Sequence, residues 1–360
     1  MSDVPTRPRL ADVAAAAGVS KSAASKVLND APGTSVSEET RARIHAAAER
    51  LGYRPHGPAR SLATGRTGAI ALVVPPLSNP THATIARGAS RRALERGFMT
   101  LTAEDLGDPA SRAGLEMLIE SGRLDGVLIG SASADSDLPY LLDRLRIPHV
   151  FVNRSNPRGR ANVVMDVAQS ARAAVDFLVG LGHQQLGHIG GPSEYTPSVE
   201  RIQAFRRRCR ELRLPEPTIA LHSFDEGGGA RGLAELRSVL EPPTAVFTSS
   251  FAQAVGVLGA AAQSGLDIPG ELSVLANDDY PMADYLVPTL STVQTPLAEL
   301  GAAAVDQLIA IIGGADPHDT VIPTVPHIIA RGSTGPGPDG IPHSEVTLPD
   351  ENLALPADPA

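Results

Sequence analysis

The sequence predicts a small all-helical unit followed by a large α/β body folded as two doubly wound lobes. Three observations carry this. The segment before Gly52 shows helical periodicity with capping residues at its breaks. From Ala69 onward, short Val/Ile-rich runs alternate with helix-length amphipathic runs. And 360 residues exceed the length at which one hydrophobic core usually keeps growing, so several units are expected.

In the helical unit, Leu10, Val13, Ala14 and Ala17 share one helix face, and strand-like alternation is absent. Gly18-Val19-Ser20 breaks that helix, and Ser20 is a good N-cap for a second one to about Leu28. Asp30 to Thr34 is turn chemistry. Ser37 then caps a third helix, with Glu38 and Glu39 in its first turn and Ile44, Ala47, Ala48 and Leu51 along it, and Gly52 ends it. Residues 53–67 hold two prolines and two glycines around a short helix-capable stretch, Pro58 to Ala63, which reads as a conditional linker helix.

The body follows as strands near 69–75, 98–104, 126–130, 149–154, 185–191, 218–222, 245–249 and 272–278, and helices near 81–97, 109–121, 168–181, 197–212, 227–239 and 251–265. Short β-branched strands separated by helices imply parallel sheet with right-handed crossovers. There are more such units than one sheet comfortably holds, so two lobes facing a cleft are expected. The expected organisation is a headpiece at 1–52, a hinge at 53–67, a two-lobed body at 68–334, and a Gly/Pro-rich tail at 335–360 expected to be disordered.

Composition sets the class. Apolar residues at 42% and charged residues at 20% suit a soluble globular chain. The single cysteine, Cys209, excludes an intrachain disulfide and reads as a buried structural thiol in a reducing compartment. The N-terminus lacks a signal-peptide core and no apolar run is long enough to span a bilayer, so a cytoplasmic protein without membrane contact is expected. The net charge of -9 conceals an asymmetry. Residues 1–66 hold ten Lys/Arg against six Asp/Glu, a net +4, which leaves -13 on the rest. A basic head on an acidic body suits a head that touches phosphate while the body stays off the nucleic acid.

The strongest local signal is RLADVAAAAGVSKSAASKVLN, residues 9–29. A helix, a glycine-containing turn and a capped second helix, with small residues at Ala14, Ala17, Ala23 and Ala24, permit the close crossing of a helix-turn-helix. In that geometry Lys21, Ser22 and Lys26 point to base edges or phosphates, and Ser25 and Asn29 toward the DNA backbone. The same spacing is compatible with an ordinary Ala-rich helical hairpin. His183 and His188 flank a strand entry without further ligands and read as structural, not as a metal site. GGPS at 190–193 lacks the spacing and Lys-Ser/Thr of a phosphate loop, and no nucleophile elbow or zinc-protease motif is present. No catalytic residue, metal or cofactor is expected.

The segments ADVAAAAGVSKSAASKVLN, VSEETRARIHAAAERLGYRP, ARSLATGRTGAIALVVPPLSNP, LGHQQLGHIGGP, LSTVQTPLAELG and RGST, in that order, resemble the signature segments of the LacI/GalR family of transcription regulators, over about Leu10 to Thr334. The resemblance implies a helix-turn-helix headpiece on a periplasmic-binding-protein-like effector module. It implies that Lys21 and Ser22 are base-reading positions, and that Lys26 stands where arginine is usual, which removes a bidentate fork to guanine. It implies that ARSLA is a hinge helix entering the minor groove, with Arg60 on it and Leu62 as the wedge between base steps. The alternative for Leu62 is packing on the headpiece. It further implies cleft positions at Thr81, His82, Asn153, Arg154, Asp166, Arg201, Phe247 and Asp278, each of which, taken singly, suits a surface ion pair or core role as well. Thr81 and His82 replace frequent aromatics, Ser250-Phe251 replaces Asn-Asp, and Val167 replaces a common Asn. These departures remove hydrogen-bonding groups and add apolar surface, which weighs against a simple sugar. The partners implied are double-stranded operator DNA, a small-molecule effector (a sugar, nucleoside or related metabolite) and a second copy of the chain, as a homodimer or a pair of dimers. A periplasmic solute receptor and a nucleotide-binding enzyme are the rival readings of the same body.

Overall fold

The computed structural model describes residues 8–29, 34–53, 66–131, 137–156, 161–323 and 325–338. The chain divides into two compact units, one made of the residues up to Ala69 with Gly122–Asp125, the other of the remainder.

In the first unit, α1 (Leu10–Ala17), α2 (Lys21–Leu28) and α3 (Glu38–Leu51) lie where the capping residues put them. Gly18 ends α1 in the left-handed region at φ 65°, which an L side chain resists, and its N–H bonds back to the last turn. The Ser20 hydroxyl accepts the Ala23 N–H at 3.1 Å, and Ser37 does the same for Thr40 at 3.3 Å. The core comprises Val13, Ala14, Ala17, Ala24, Val27, Ile44, Ala47 and Ala48, five of them alanines, so the helices cross with little side-chain volume between them. Arg60 and Leu62, in the expected hinge, lie outside the described residues.

The second unit holds two six-stranded sheets. In the first lobe, β1 (Ala69–Val74), β2 (Met99–Glu104), β3 (Gly126–Ile129), β4 (His149–Val152), β5 (Asn162–Met165) and β11 (Thr320–Ile322) lie in the order β11-β5-β4-β3-β1-β2. In the second, β6 (Leu186–Gly190), β7 (Thr218–Leu221), β8 (Ala245–Thr248), β9 (Ser273–Asn277), β10 (Ser291–Gln294) and β12 (His327–Ile329) lie in the order β12-β10-β9-β8-β6-β7. The pairings of β3 with β1 and β4, and of β8 with β6 and β9, are parallel, and the closing β10–β12 pair is antiparallel. Central strands are buried on both faces, which explains their unbroken apolar runs.

The helices are α4 (Pro80–Glu95), α5 (Pro109–Glu120), α6 (Leu138–Leu145), α7 (Val167–Gly180), α8 (Thr196–Glu211), α9 (Glu226–Arg237), α10 (Phe251–Ser264) and α11 (Leu297–Ile312). The chain passes from β5 to α7 and from β10 to α11, so α11 returns to the first lobe, where Leu300, Ala304 and Leu308 are buried among Ile70, Leu72, Val150 and Val163. Strand β5, helix α6 and everything from β10 to β12 extend the sequence reading, which assigned nothing there. Three- and four-residue strands carry too little periodicity to announce themselves.

Cys209 is buried and its thiol is pushed up to about 12 by desolvation, in keeping with a structural role. Residues 335–338, placed in the expected tail, are described and bonded to the body: the Gly335 carbonyl accepts from His183 at 3.1 Å and the Gly337 N–H donates to the Leu181 carbonyl at 2.7 Å. Among the described residues no helix is long and apolar enough to cross a membrane.

Helices α4 and α11 touch backbone to backbone. A Cβ at Gly88 would stand 2.1 Å from the Ala298 carbonyl oxygen, whereas one at Gly114, on α5, would meet nothing within 4 Å. Gly88→Ala is therefore expected to lower stability by about 1–3 kcal/mol through overpacking. Gly114→Ala is expected to raise it by about 0.5–1 kcal/mol through a less flexible unfolded chain. Urea titrations of the two variants check the opposite signs, and equal losses would refute the backbone contact.

Candidate functional sites in the headpiece and the cleft

In the headpiece, α2 buries Ala24 and Val27 and so turns Lys21, Ser22 and Lys26 outward, all three exposed. Ser20 caps the helix, and the N-terminal turn presents its positive dipole end beside Lys21, while Lys26 stands in the last turn. Ser25 and Asn29 differ from the other three. The Asn29 amide donates to the Ser25 carbonyl at 2.9 Å and reaches its hydroxyl at 3.4 Å, so the pair closes the end of α2 on itself. A face with two ammonium groups and a hydroxyl over a small apolar core can meet phosphate and base edges together.

In the body, the carboxyl ends of the parallel strands of both sheets open onto one cavity of about 350 Å³. From the first lobe come Asn79, Thr81 and His82 at the start of α4, and Asn153 and Arg154 after β4. From the second come Tyr195, Arg201, Phe224, Ser249, Asn277 and Asp278. Asn153 and Asp278 end their strands in the left-handed region, at φ 63° and 70°, a strained turn that swings each side chain toward the opening.

Asp278 is nearly completely buried and fully engaged. Its carboxylate accepts from Thr81 at 3.0 Å, from the Asn277 amide at 2.8 Å and from the Thr295 hydroxyl. Thr81 also meets the Tyr280 hydroxyl at 3.0 Å, so α4 of the first lobe is tied to the β9 end of the second. Burial raises the Asp278 carboxyl, and the Thr295 bond, Arg201 and Thr81 oppose the rise. Arg154 of the first lobe lies 4.7 Å over the Tyr195 ring of the second and donates to the Ser131 carbonyl at 3.1 Å. Burial, with help from Arg154, holds His82 down to about 4, so its imidazole is neutral near pH 7.

Phe224 is held over the cavity from behind. A Cβ at Gly191 would stand 2.0 Å from its ring, so any larger residue there would displace the ring. Ser250, the N-cap of α10, donates to the Phe224 carbonyl at 2.8 Å, and the buried Gln253 amide donates to the Gly190 and Ser223 carbonyls at 3.1 and 3.0 Å.

The helix-turn-helix segment matches the family model for bacterial regulatory proteins of the lacI family over residues 9–56, and the second lobe matches a periplasmic binding protein-like domain over residues 175–334. The ribose operon repressor of Escherichia coli (strain K12) is 31% identical, over 89% of this chain and 98% of its own length. The chain belongs to the lacI family. It is thus a bacterial DNA-binding regulator of transcription. The HTH-type transcriptional regulator MalR of Streptomyces coelicolor (strain ATCC BAA-471 / A3(2) / M145) is 32% identical over 92% of this chain and 97% of its own length. Among solved structures, a complex of the transcriptional regulator CelR with cellobiose is 28% identical, with a TM-score of 0.69 over 91% of this chain and all of that one. The lac repressor dimer bound to operator, 24% identical with a TM-score of 0.77 over 92% of this chain and 100% of that one, shares the fold.

Against this family frame, Thr81, His82, Asn153, Arg154, Arg201 and Asp278 stand together around the cavity. Two expected cleft residues do not. Asp166 caps α7, its carboxylate accepting the Ala168 N–H at 3.1 Å. Phe247 lies in mid-strand with no exposed surface, stacked between sheet and helices against His188 at 5.2 Å and Phe205 at 6.1 Å. Its carbonyl accepts from His188, and His183 bonds Thr244 at 2.9 Å, so both histidines brace the sheet. Phe251, in the departure from Asn-Asp, is buried edge-on to Tyr280. Tyr195 and Phe224 line the cavity as well, two aromatic residues that the sequence did not single out. Both follow a strand end of the second lobe, and that position was the available signal.

The depressed His188 has a consequence for pH. Its imidazole is held down to about 3 by burial and Arg201, against about 6.5 unfolded. Between those values the unfolded chain binds a proton that the folded chain refuses, so stability is full above about pH 6.5 and falls as pH drops. The expected slope is at most about 1.4 kcal/mol per pH unit from this group. His188→Leu should lower stability at pH 7.5 yet flatten the decline between pH 6.5 and 5, measured by denaturant midpoints. An unchanged slope would show that His188 titrates freely.

Proposed function

We propose that the chain is a repressor that reads a pseudo-palindromic operator through two headpieces and responds to a small molecule held between the lobes. The observation that carries the first half is the outward face of α2, where Lys21, Ser22 and Lys26 stand over a closed alanine core. Lys21 and Ser22 read bases, Lys26 meets a base edge or phosphate, Ser25 and Asn29 support the helix end against the DNA backbone, and Arg60 and Leu62 act from the hinge. The working boundaries are headpiece to residue 52, hinge 53–67 and body from 68. A homodimer fits the exposed apolar side chains Leu94, Met99, Leu101 and Met117 on the first lobe, which a second copy would cover. The chain acts in the cytoplasm as a binding protein and not as an enzyme, a reading supported by relatives that are named as repressors and transcriptional regulators.

The second half follows from linkage. Thr81–Asp278 and Arg154–Tyr195 join the lobes across the cavity. A ligand that favours one arrangement of these contacts shifts the lobe geometry and, through the hinge, operator affinity. The names of relatives, a ribose operon repressor and a cellobiose-bound regulator, support a polyhydroxylated effector.

Selection of duplexes from a random pool by the purified protein tests the reading. The expected site is two-fold symmetric, with half-sites about 10 bp apart centre to centre or a multiple of it. Lys21→Ala should weaken the selected site by about 1–3 kcal/mol while leaving random DNA nearly unaffected. Failure to prefer any sequence over random competitor at low salt would overturn the proposal.

A further inference from the structure

We propose that residues 339–360 lie across the arginine-bearing outer face of α8, so that an acidic segment of the chain covers a basic patch on its acidic body. Arg206, Arg207, Arg208, Arg210 and Arg213 fall within eight residues, although residues 67–360 carry a net charge of -13. Helix α8 buries Ala204, Phe205 and Cys209, which turns Arg206, Arg207 and Arg210 outward. Arg213 stands exposed just beyond the helix, in the left-handed region at φ 60°. Two of the five are satisfied nearby. Arg208 pairs with Asp176 at 2.6 Å and Glu211 at 3.0 Å, and Arg206 with Glu216 at 3.1 Å. Glu211 is shared with Arg172 at 3.0 Å, so the acids close at hand are taken. Among the described residues Arg207, Arg210 and Arg213 make no ion pair. Guanidinium groups three and four residues apart on one helix face repel one another, and the favourable end of the helix dipole reaches only the last turn.

Residues 339–360, which lie beyond the described ones, have the complementary composition. They hold five carboxylates, Asp339, Glu345, Asp350, Glu351 and Asp358, and no lysine or arginine. The chain also reaches this segment from the right place. The Gly337 N–H donates to the Leu181 carbonyl at 2.7 Å, and a Cβ on Gly337 would stand 2.4 Å from the Gly182 backbone, so the chain is seated closely at the end of α7. Leu181, just past α7, and Leu212 and Leu214, just past α8, pack against the same buried cluster of Phe177, Phe205 and Cys209. The segment therefore departs beside the end of α8 where the unpaired arginines stand. Its length suffices. Helix α8, at 16 residues, is about 24 Å long, and the 22 residues from 339 reach about 70 Å when extended. Exposed ion pairs gain little singly, but a tether holds these carboxylates at about millimolar effective concentration beside the guanidiniums. Once covered, the face offers no second site for phosphate on the body, and contact with DNA stays with the headpiece.

Cleavage of the full chain by a Glu-specific endoprotease tests this. Release of the fragments after Glu345 and Glu351 is followed by mass spectrometry, with a synthetic peptide of residues 339–360 as the uncovered standard. In about 0.02 M salt both bonds should be cut about threefold to tenfold more slowly in the chain than in the peptide. At about 1 M salt, where the Debye length is about 3 Å, the difference should vanish. Arg207→Gln combined with Arg210→Gln and Arg213→Gln should release the segment at low salt. Asp339→Asn combined with Asp350→Asn and Asp358→Asn should do the same while leaving α8 untouched. Neither set should move the thermal midpoint, since no core residue changes. The proposal is overturned if the chain is cut at the peptide's rate at low salt, or if the protection survives both sets of substitutions. If the segment is cut freely and the arginine substitutions instead weaken binding of random duplex DNA, the face belongs to nucleic acid, which overturns the proposal as well.

Discussion

The Asp278 carboxylate, buried at the end of β9, is the point through which the two lobes are tied. It takes Thr81 from the first lobe, Thr295 from the strand that leads back to that lobe, and its own neighbour Asn277. A carboxylate removed from water must have its lone pairs filled, and here the fillers come from different lobes and the connection between them. That requirement makes the lobe arrangement a hydrogen-bonding problem with a definite solution.

Such a set can work as a switch because its energies match the task. Moving a two-state equilibrium from one side to the other takes about 5.5 kcal/mol of differential binding. Hydrogen bonds to charged groups contribute about 1.5–3 kcal/mol each. A ligand that makes or displaces two or three of them is sufficient. The rigid parts around them, Gln253 bridging two strand ends and Gly191 seating Phe224, keep the cavity walls from absorbing the change locally.

The headpiece uses a different economy of parts. Its core is mostly alanine, and a unit of this size buries little surface, so its stability is modest by construction. The same smallness lets α1 cross close to α2 and leaves Lys21, Ser22 and Lys26 proud of the surface. The +4 of the first 66 residues against the -13 of the rest confines attraction for phosphate to that end of the chain.

What the sequence determined by itself was everything governed by neighbours along the chain: the caps at Ser20 and Ser37, the left-handed stop at Gly18, the strand–helix alternation, and the family motifs that name the fold. What only the tertiary structure decided was which side chains share a cavity. Phe247 and Asp166 stood beside the right strand ends yet belong elsewhere, because a parallel strand buried on both faces sends its mid-strand ring into the core, and a carboxylate before a helix turns to the nearest N–H. Tyr195 and Phe224 are 29 residues apart and meet at 5.9 Å only once β6 and β7 lie side by side. Periodicity and capping act over a turn or two, whereas a cleft is assembled by sheet order, and that order is set by burial across the whole unit.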